Sequence, residues 1–155
     1  MEIDGWTEAF AAKTTVRGQW FCSVSASYKS GIRLTISRDH SGYSLDFQKA
    51  EWSLEDKATY PVILSIDDLW RARREGLAVG TTLVVPLLLD AEALSALRRG
   101  MLLSLEAEAE TFQFELRNEA ATLDRLESCY RERLSKEAAA TYRSPFAAAQ
   151  NPFKP

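Results

Sequence analysis

Residues 20–28, WFCSVSASY, decide how this chain reads. With period two, Trp20, Cys22, Val24, Ala26 and Tyr28 fall on one face, and Phe21, Ser23, Ser25 and Ser27 on the other. That alternation is the pattern of a half-buried antiparallel strand, apolar inward and small-polar outward. The only other cysteine, Cys129, lies where Leu123, Leu126, Tyr130 and Leu134 recur at spacings of three and four, the stripe of an amphipathic helix. Both cysteines therefore belong to faces expected to be buried. If they meet, the last helix is stapled to the first core strand. In a reducing compartment the same pair is two small buried hydrophobes.

Working outward, the strand occupies about 16–28, and Lys29-Ser30-Gly31 reads as a turn with Gly31 free to take positive φ. Ile32, Leu34 and Ile36 alternate with Arg33, Thr35 and Ser37, and after a polar turn at 38–42 Tyr43, Leu45 and Phe47 do the same. Two successive hairpins imply an antiparallel meander. Trp52 and Leu54 lead into a charged turn at 55–57, and Val62, Leu64 and Ile66 mark a strand over 60–66, with Pro61 at its start or on an edge. Strands at 69–79 and 81–87 join near Gly80. Met101, Leu103 and Leu105, then Phe112, Phe114 and Leu116, mark two more around an acidic turn at 106–110. Asp90 is a good N-cap for a helix over 91–99, with Glu92 in its first turn, Arg98 and Arg99 in its last, and Gly100 at the C′ position. Asn118 caps a long helix over 119–140, whose exposed side carries the pairs Glu127–Arg131 and Glu132–Lys136.

The sum is an α+β protein, mainly an antiparallel β-sandwich or partly open barrel of about seven or eight strands, with a short helix and a long C-terminal one. The expected organisation is an N-terminal segment 1–15, a short helix or edge segment, then one globular domain over 16–140 and a Pro/Ala-rich tail over 141–155. At 155 residues with 46% hydrophobic content, one domain with a sizeable core is expected. The net charge of −3 gives no general attraction to nucleic acid or anionic membranes. The longest apolar run, 83–89, is strand-sized and contains Pro86, so no membrane span is expected. The start, MEIDGWTEAF, has neither the basic nor the apolar region of a secretory signal peptide. A cytoplasmic chain, or one whose leader was replaced by a starting Met, fits that start.

Chemistry is sparse. His40, the single histidine, sits in a turn without the partners a hydrolytic triad requires, and no ligand set for zinc is visible. No glycine-rich phosphate loop occurs, and no cofactor is expected. Glu106, Glu108 and Glu110, and Asp67 with Asp68, lie in turns where solvated charge is the simpler reading. The most distinctive polar stretch is 70–74, WRARR, where Arg71 and Arg73 share one face of a strand and Trp70 and Arg74 the other. An aromatic beside arginines suits an interface, whereas an exposed edge strand defended by charge is the plainer alternative. Most tryptophans and phenylalanines are expected in the core. Trp6, Phe146 and Phe153, near the ends, are candidates for contact with a partner chain.

The order of signals also resembles a known family. An early Trp-x-Cys strand (Trp20, Cys22) is followed by a Gly-led strand (31–36), an aromatic hairpin (43–52) and a Tyr-x-Val-x-Leu-x-Ile-Asp strand (60–67). A Leu-x-x-Leu-x-x-Gly step (94–100) precedes a Phe-x-Phe-x-Leu strand, and a helix carries Ala120, Leu123, Leu126 and Cys129 at spacings of three. Over about residues 16–130 this resembles the invasion-associated locus B proteins and related small periplasmic domains of alphaproteobacteria. The resemblance implies an exported periplasmic domain stapled by Cys22–Cys129, with no catalytic motif. The expectation is a non-catalytic binding or accessory domain acting through Trp70, Arg71, Arg73 and Arg74 with the two tails. Alternatives are an accessory subunit docked permanently in a larger assembly, and an enzyme with a site at the acidic turns and His40.

Overall fold

The computed structural model describes residues 2–3, 6–14 and 20–141, with side chains from 20 to 139. The first described strands are β1 (Glu2–Ile3), β2 (Trp6–Thr14), β3 (Trp20–Ser27), β4 (Arg33–Asp39) and β5 (Gly42–Gln48). Then come β6 (Thr59–Ile66), β7 (Trp70–Val79), β8 (Thr82–Leu88), helix α1 (Ala91–Arg99), β9 (Leu102–Ala107), β10 (Glu110–Glu115) and helix α2 (Glu119–Thr141). The strands form one antiparallel sheet in the order β1-β2-β3-β4-β5-β8-β7-β6-β9-β10. The eight strands from β3 onward are those the alternation marks. They curl into a half-barrel, so of the two architectures expected the partly open barrel describes the molecule. The N-terminal segment is strand: β2 pairs with β3 on its outer side.

The curl follows from which face each strand buries. Cys22, Val24, Leu34, Ile36, Leu45, Phe47, Val62, Leu64, Ile66, Leu83, Val85, Leu103, Leu105 and Phe114 all line the concave side and are almost fully buried. Directly paired residues share a face, so Val24↔Ile36, Leu34↔Phe47 and Leu64↔Leu105 stack as cross-strand pairs. The last strand bends back across the opening. Phe114 lies 5.1 Å from the Tyr28 ring and 5.3 Å from Phe47, and the Tyr28 hydroxyl donates to the Glu115 carbonyl. Burial pushes the Tyr28 phenol up to about 12.

Both helices pack on the concave side at one end of the strands. The Asp90 carboxylate accepts from the backbone N–H groups of Glu92 and Ala93, each at 3.1 Å, and so caps α1. Asp90→Ala is expected to cost about 1 kcal/mol, measurable as a lowered urea midpoint at unchanged slope. Gly100 ends the helix as expected, for a different reason. Its φ is −76°, and a Cβ there would lie 2.2 Å from Ile66 Cγ2, so close approach rather than a left-handed turn requires glycine. Gly31 does take the left-handed conformation, with φ +87°.

Three local expectations need correction. Asn118 does not cap α2 in the usual extended conformation: its φ is +59°, and the Glu119 carboxylate accepts from the Arg117 N–H instead. Leu134 is 47% exposed because α2 runs on past the sheet, so the buried stripe stops at Tyr130. Met101 is 75% exposed, since it precedes β9 and gives its N–H to the Asp67 carboxylate at 2.9 Å. Among the described residues no helix is long and apolar enough to cross a membrane.

The outer face of β4 and β5 is polar but partly covered. Asp46 stands there with Ser44, whose hydroxyl donates to it at 3.3 Å, and Thr35 opposite. Burial pushes the Asp46 carboxyl from its ordinary 3.8 up to about 6. Between those values the folded protein binds more protons than the unfolded chain, so stability falls as pH rises through this window. Asp46→Asn is therefore expected to raise stability at pH 7 by about 1–2 kcal/mol and to flatten the pH dependence, read from urea unfolding at several pH values.

Candidate functional site

A densely bonded polar cluster sits where α2 meets β3 and β4. Cys22 and Cys129 form a disulfide with Cα atoms 6.2 Å apart and a sequence separation of 107. Cys22 pairs directly with Arg38 of β4, which places the guanidinium on the same concave face, beside the bridge. The Arg38 side chain is 7% exposed, with Nε 2.7 Å from Glu127 Oε2 and Nη2 3.3 Å from Oε1, a bidentate pair. Its Nη1 also donates to the Asp39 carbonyl. Two aromatic rings sandwich it: the guanidinium carbon lies 4.1 Å from the Tyr130 centroid and 5.3 Å from that of Tyr43. Trp20 packs on Tyr130 at 4.7 Å.

The electrostatics follow from that geometry. The hydrogen bond from Arg38 holds the Glu127 carboxyl below its ordinary value, helped by the Tyr43 hydroxyl, which donates at 2.9 Å. Burial, then the same hydrogen bond to Glu127, pushes the Tyr43 phenol up to about 12. Burial alone would weaken the Arg38 charge, but Glu127 outweighs it and the guanidinium is held more strongly protonated. Every strong donor here is matched by an acceptor within the cluster. The site is thus a latch fastening α2 to the sheet, with covalent and ionic parts side by side.

The 70–74 stretch pairs on one side only, with 62–66 of β6, so it is an open edge within the sheet, the plainer of the two alternatives. Only Leu77, Ala78 and Val79 at the end of β7 pair with β8, which runs on to pair with β5. The outermost strands are β1 and β10. The division of faces holds. Trp70 and Arg74 point to the concave side, where Arg74 lies 5.7 Å from the Trp70 ring and bonds Asp90, the α1 cap, at 2.9 Å. Arg71 and Arg73 point outward and are exposed, with Leu77 and Val79 on the same face at 42% and 55% exposure. Arg71 reaches Glu106 at 3.3 Å. The four residues expected to act together are therefore split, two structural and two facing solvent. The side chains of Trp6, Phe146 and Phe153 lie outside the described residues.

The pairing register puts His40, in the β4–β5 turn, at the end of the sheet marked by Gly42 and Leu88. The Glu106–Glu110 turn lies at the opposite end, near Val62, so these groups do not converge on one site. Among the described residues no three histidine, cysteine, aspartate or glutamate side chains are grouped to hold a metal ion. Comparisons with protein-family models, with curated proteins and with solved structures return no match.

Proposed function

We propose that this chain is an exported, non-catalytic binding domain that works through protein–protein contact, akin to the invasion-associated locus B-type periplasmic domains. The observation that carries the contact is the outward face of β7, which presents Arg71, Arg73, Glu75, Leu77 and Val79 in a row, with Leu77 and Val79 exposed. An exposed apolar pair on one strand face with two arginines suits an interface, where arginine is enriched and lysine depleted, and Glu75 stands between them. Among the described residues Arg73 has no carboxylate partner, which leaves its fork available to an acidic group on another protein. The Cys22–Cys129 bond supports the compartment, because such bonds persist in oxidising surroundings.

The test places a photo-crosslinking residue at position 73 of the full chain in its native host, and another at exposed position 132 on α2 as a control. The expected result is a discrete adduct from position 73 alone, reduced at least about tenfold by Leu77→Glu, with the melting temperature unchanged. Equal adducts from both positions, or an adduct indifferent to Leu77→Glu, would overturn the reading.

A further inference from the structure

The helices fill the concave side at one end of the half-barrel only. At the other end the chain between β5 and β6 crosses the opening, bringing Trp52 and Leu54 over Tyr60, Leu83, Leu105 and Phe112. These six side chains surround a cavity of about 280 Å³, open to solvent. Trp52 and Phe112 meet edge to face at 5.6 Å, a rigid aromatic corner. The Tyr60 hydroxyl accepts from the Glu55 backbone N–H at 2.9 Å, so its own proton remains to be donated. The cavity belongs neither to the helix latch nor to the outer face of β7.

Its mouth is charged on one side. Glu108, on the two-residue turn joining β9 to β10, and Glu110, the first residue of β10, border the opening and have no ion-pair partner among the described residues. Lys49 lies over the Phe112 ring at 5.7 Å, and Arg73 lines a shallow groove with Glu106 and Glu108 on the outer face. Glu108 has φ +54° at a turn position where glycine is at home, and this strained backbone carries its carboxylate at the rim.

We propose that this cavity binds a small organic cation: an aromatic or branched-alkyl body of about one ring, seated on Trp52 and Phe112, with its ammonium held at the mouth by Glu108 and Glu110. The volume suits one ring and a short tail, just below the usual range of ligand pockets. The aromatic walls favour a cation through the ring faces, and the two carboxylates supply the charge complement. A ligand with an anionic head would meet Glu108 and Glu110 unfavourably.

The test uses the full, oxidised chain labelled with ¹⁵N and three probes of one shape: phenethylammonium, 2-phenylethanol and 3-phenylpropanoate. The expected result is saturable shifts of the Trp52 indole N–H, with the cation bound roughly tenfold more tightly than the alcohol at low salt and the anion weakest. Glu108→Gln with Glu110→Gln should erase the cation's advantage and leave the alcohol's affinity unchanged. Glu108→Gly should raise the melting temperature while lowering cation affinity, separating the strained turn's cost from its use. Ala107→Leu, which narrows the cavity, should weaken the cation and the alcohol alike. Equal affinity for the three probes would overturn the proposal, as would tighter binding of the alcohol or shifts that ignore both sets of variants. Tighter binding of the alcohol would mark the cavity as a seat for a neutral apolar group, such as a partner's side chain.

Discussion

Replacing Cys22 and Cys129 together by alanine lowers the stability of the domain by about 3–4 kcal/mol. The bond closes a loop of 107 residues, for which chain entropy alone gives about 4–5 kcal/mol, and measured bridges return somewhat less. For a chain of this size that is a fall of roughly 6–15 °C in melting temperature. Reduction of the unmodified protein should give the same shift, and calorimetry with and without reductant checks it. Because the bridge joins α2 to β3, the loss should fall on the helix. Amide exchange in residues 123–130 should accelerate more than in β6 or β9. Uniform acceleration would place the stabilisation elsewhere.

Glu127→Leu alone should cost about 3–4 kcal/mol, close to the disulfide in size. The reason is the asymmetry of a buried pair. Arg38 is 7% exposed and sandwiched by tyrosines, so without Glu127 its charge is stranded, and the Tyr43 hydroxyl loses its acceptor as well. Glu127 is 26% exposed and can turn to water, so Arg38→Met alone should cost less, about 1–2 kcal/mol. The double variant Arg38→Met with Glu127→Leu should come within about 1 kcal/mol of the parent, and a double-mutant cycle in urea measures the difference. Costs that simply add would show that the two side chains do not act as a pair.

The same pair sets an acid limit. The folded Glu127 carboxyl titrates below its ordinary 4.5, so its contribution is fully present above that pH and is lost as pH falls through the folded value. The parent should therefore lose stability below about pH 4.5 more steeply than the double variant. Asp46 acts in the opposite sense at higher pH. Its raised carboxyl costs stability as pH climbs from 3.8 towards about 6, so the two groups contribute to the pH dependence with opposite signs.

Much of the fold was legible because burial here has a simple period. β3, β4, β5, β6 and β8 each bury alternate residues, and α1 announces both ends through Asp90 and Gly100. What escaped was long-range. Arg38 reads as the first residue of a polar turn, yet it continues the inward series of Leu34 and Ile36, and that period-two position was the signal of its burial. Glu127 reads as half of an exposed pair with Arg131, and that contact exists at 3.2 Å. Its stronger partner lies 89 residues away, which local spacing does not reveal. The charged half of β7 is an open edge, as its alternating charges suggest, whereas the return of β8 from the last three residues of β7 to β5 was not legible. The cavity at the open end needs Trp52, Tyr60 and Phe112 from three separate segments.

The measurement that bears most directly on the stapled domain and its proposed export is the intact mass of the protein purified from its native host under alkylating conditions, before and after reduction. A chain that takes up no alkyl group until reductant is added, and then two, is the expected result, with Cys22 and Cys129 joined in the cell. Two alkyl groups added without reductant would contradict it, leaving α2 held to the sheet by Arg38 and Glu127 without the covalent bridge.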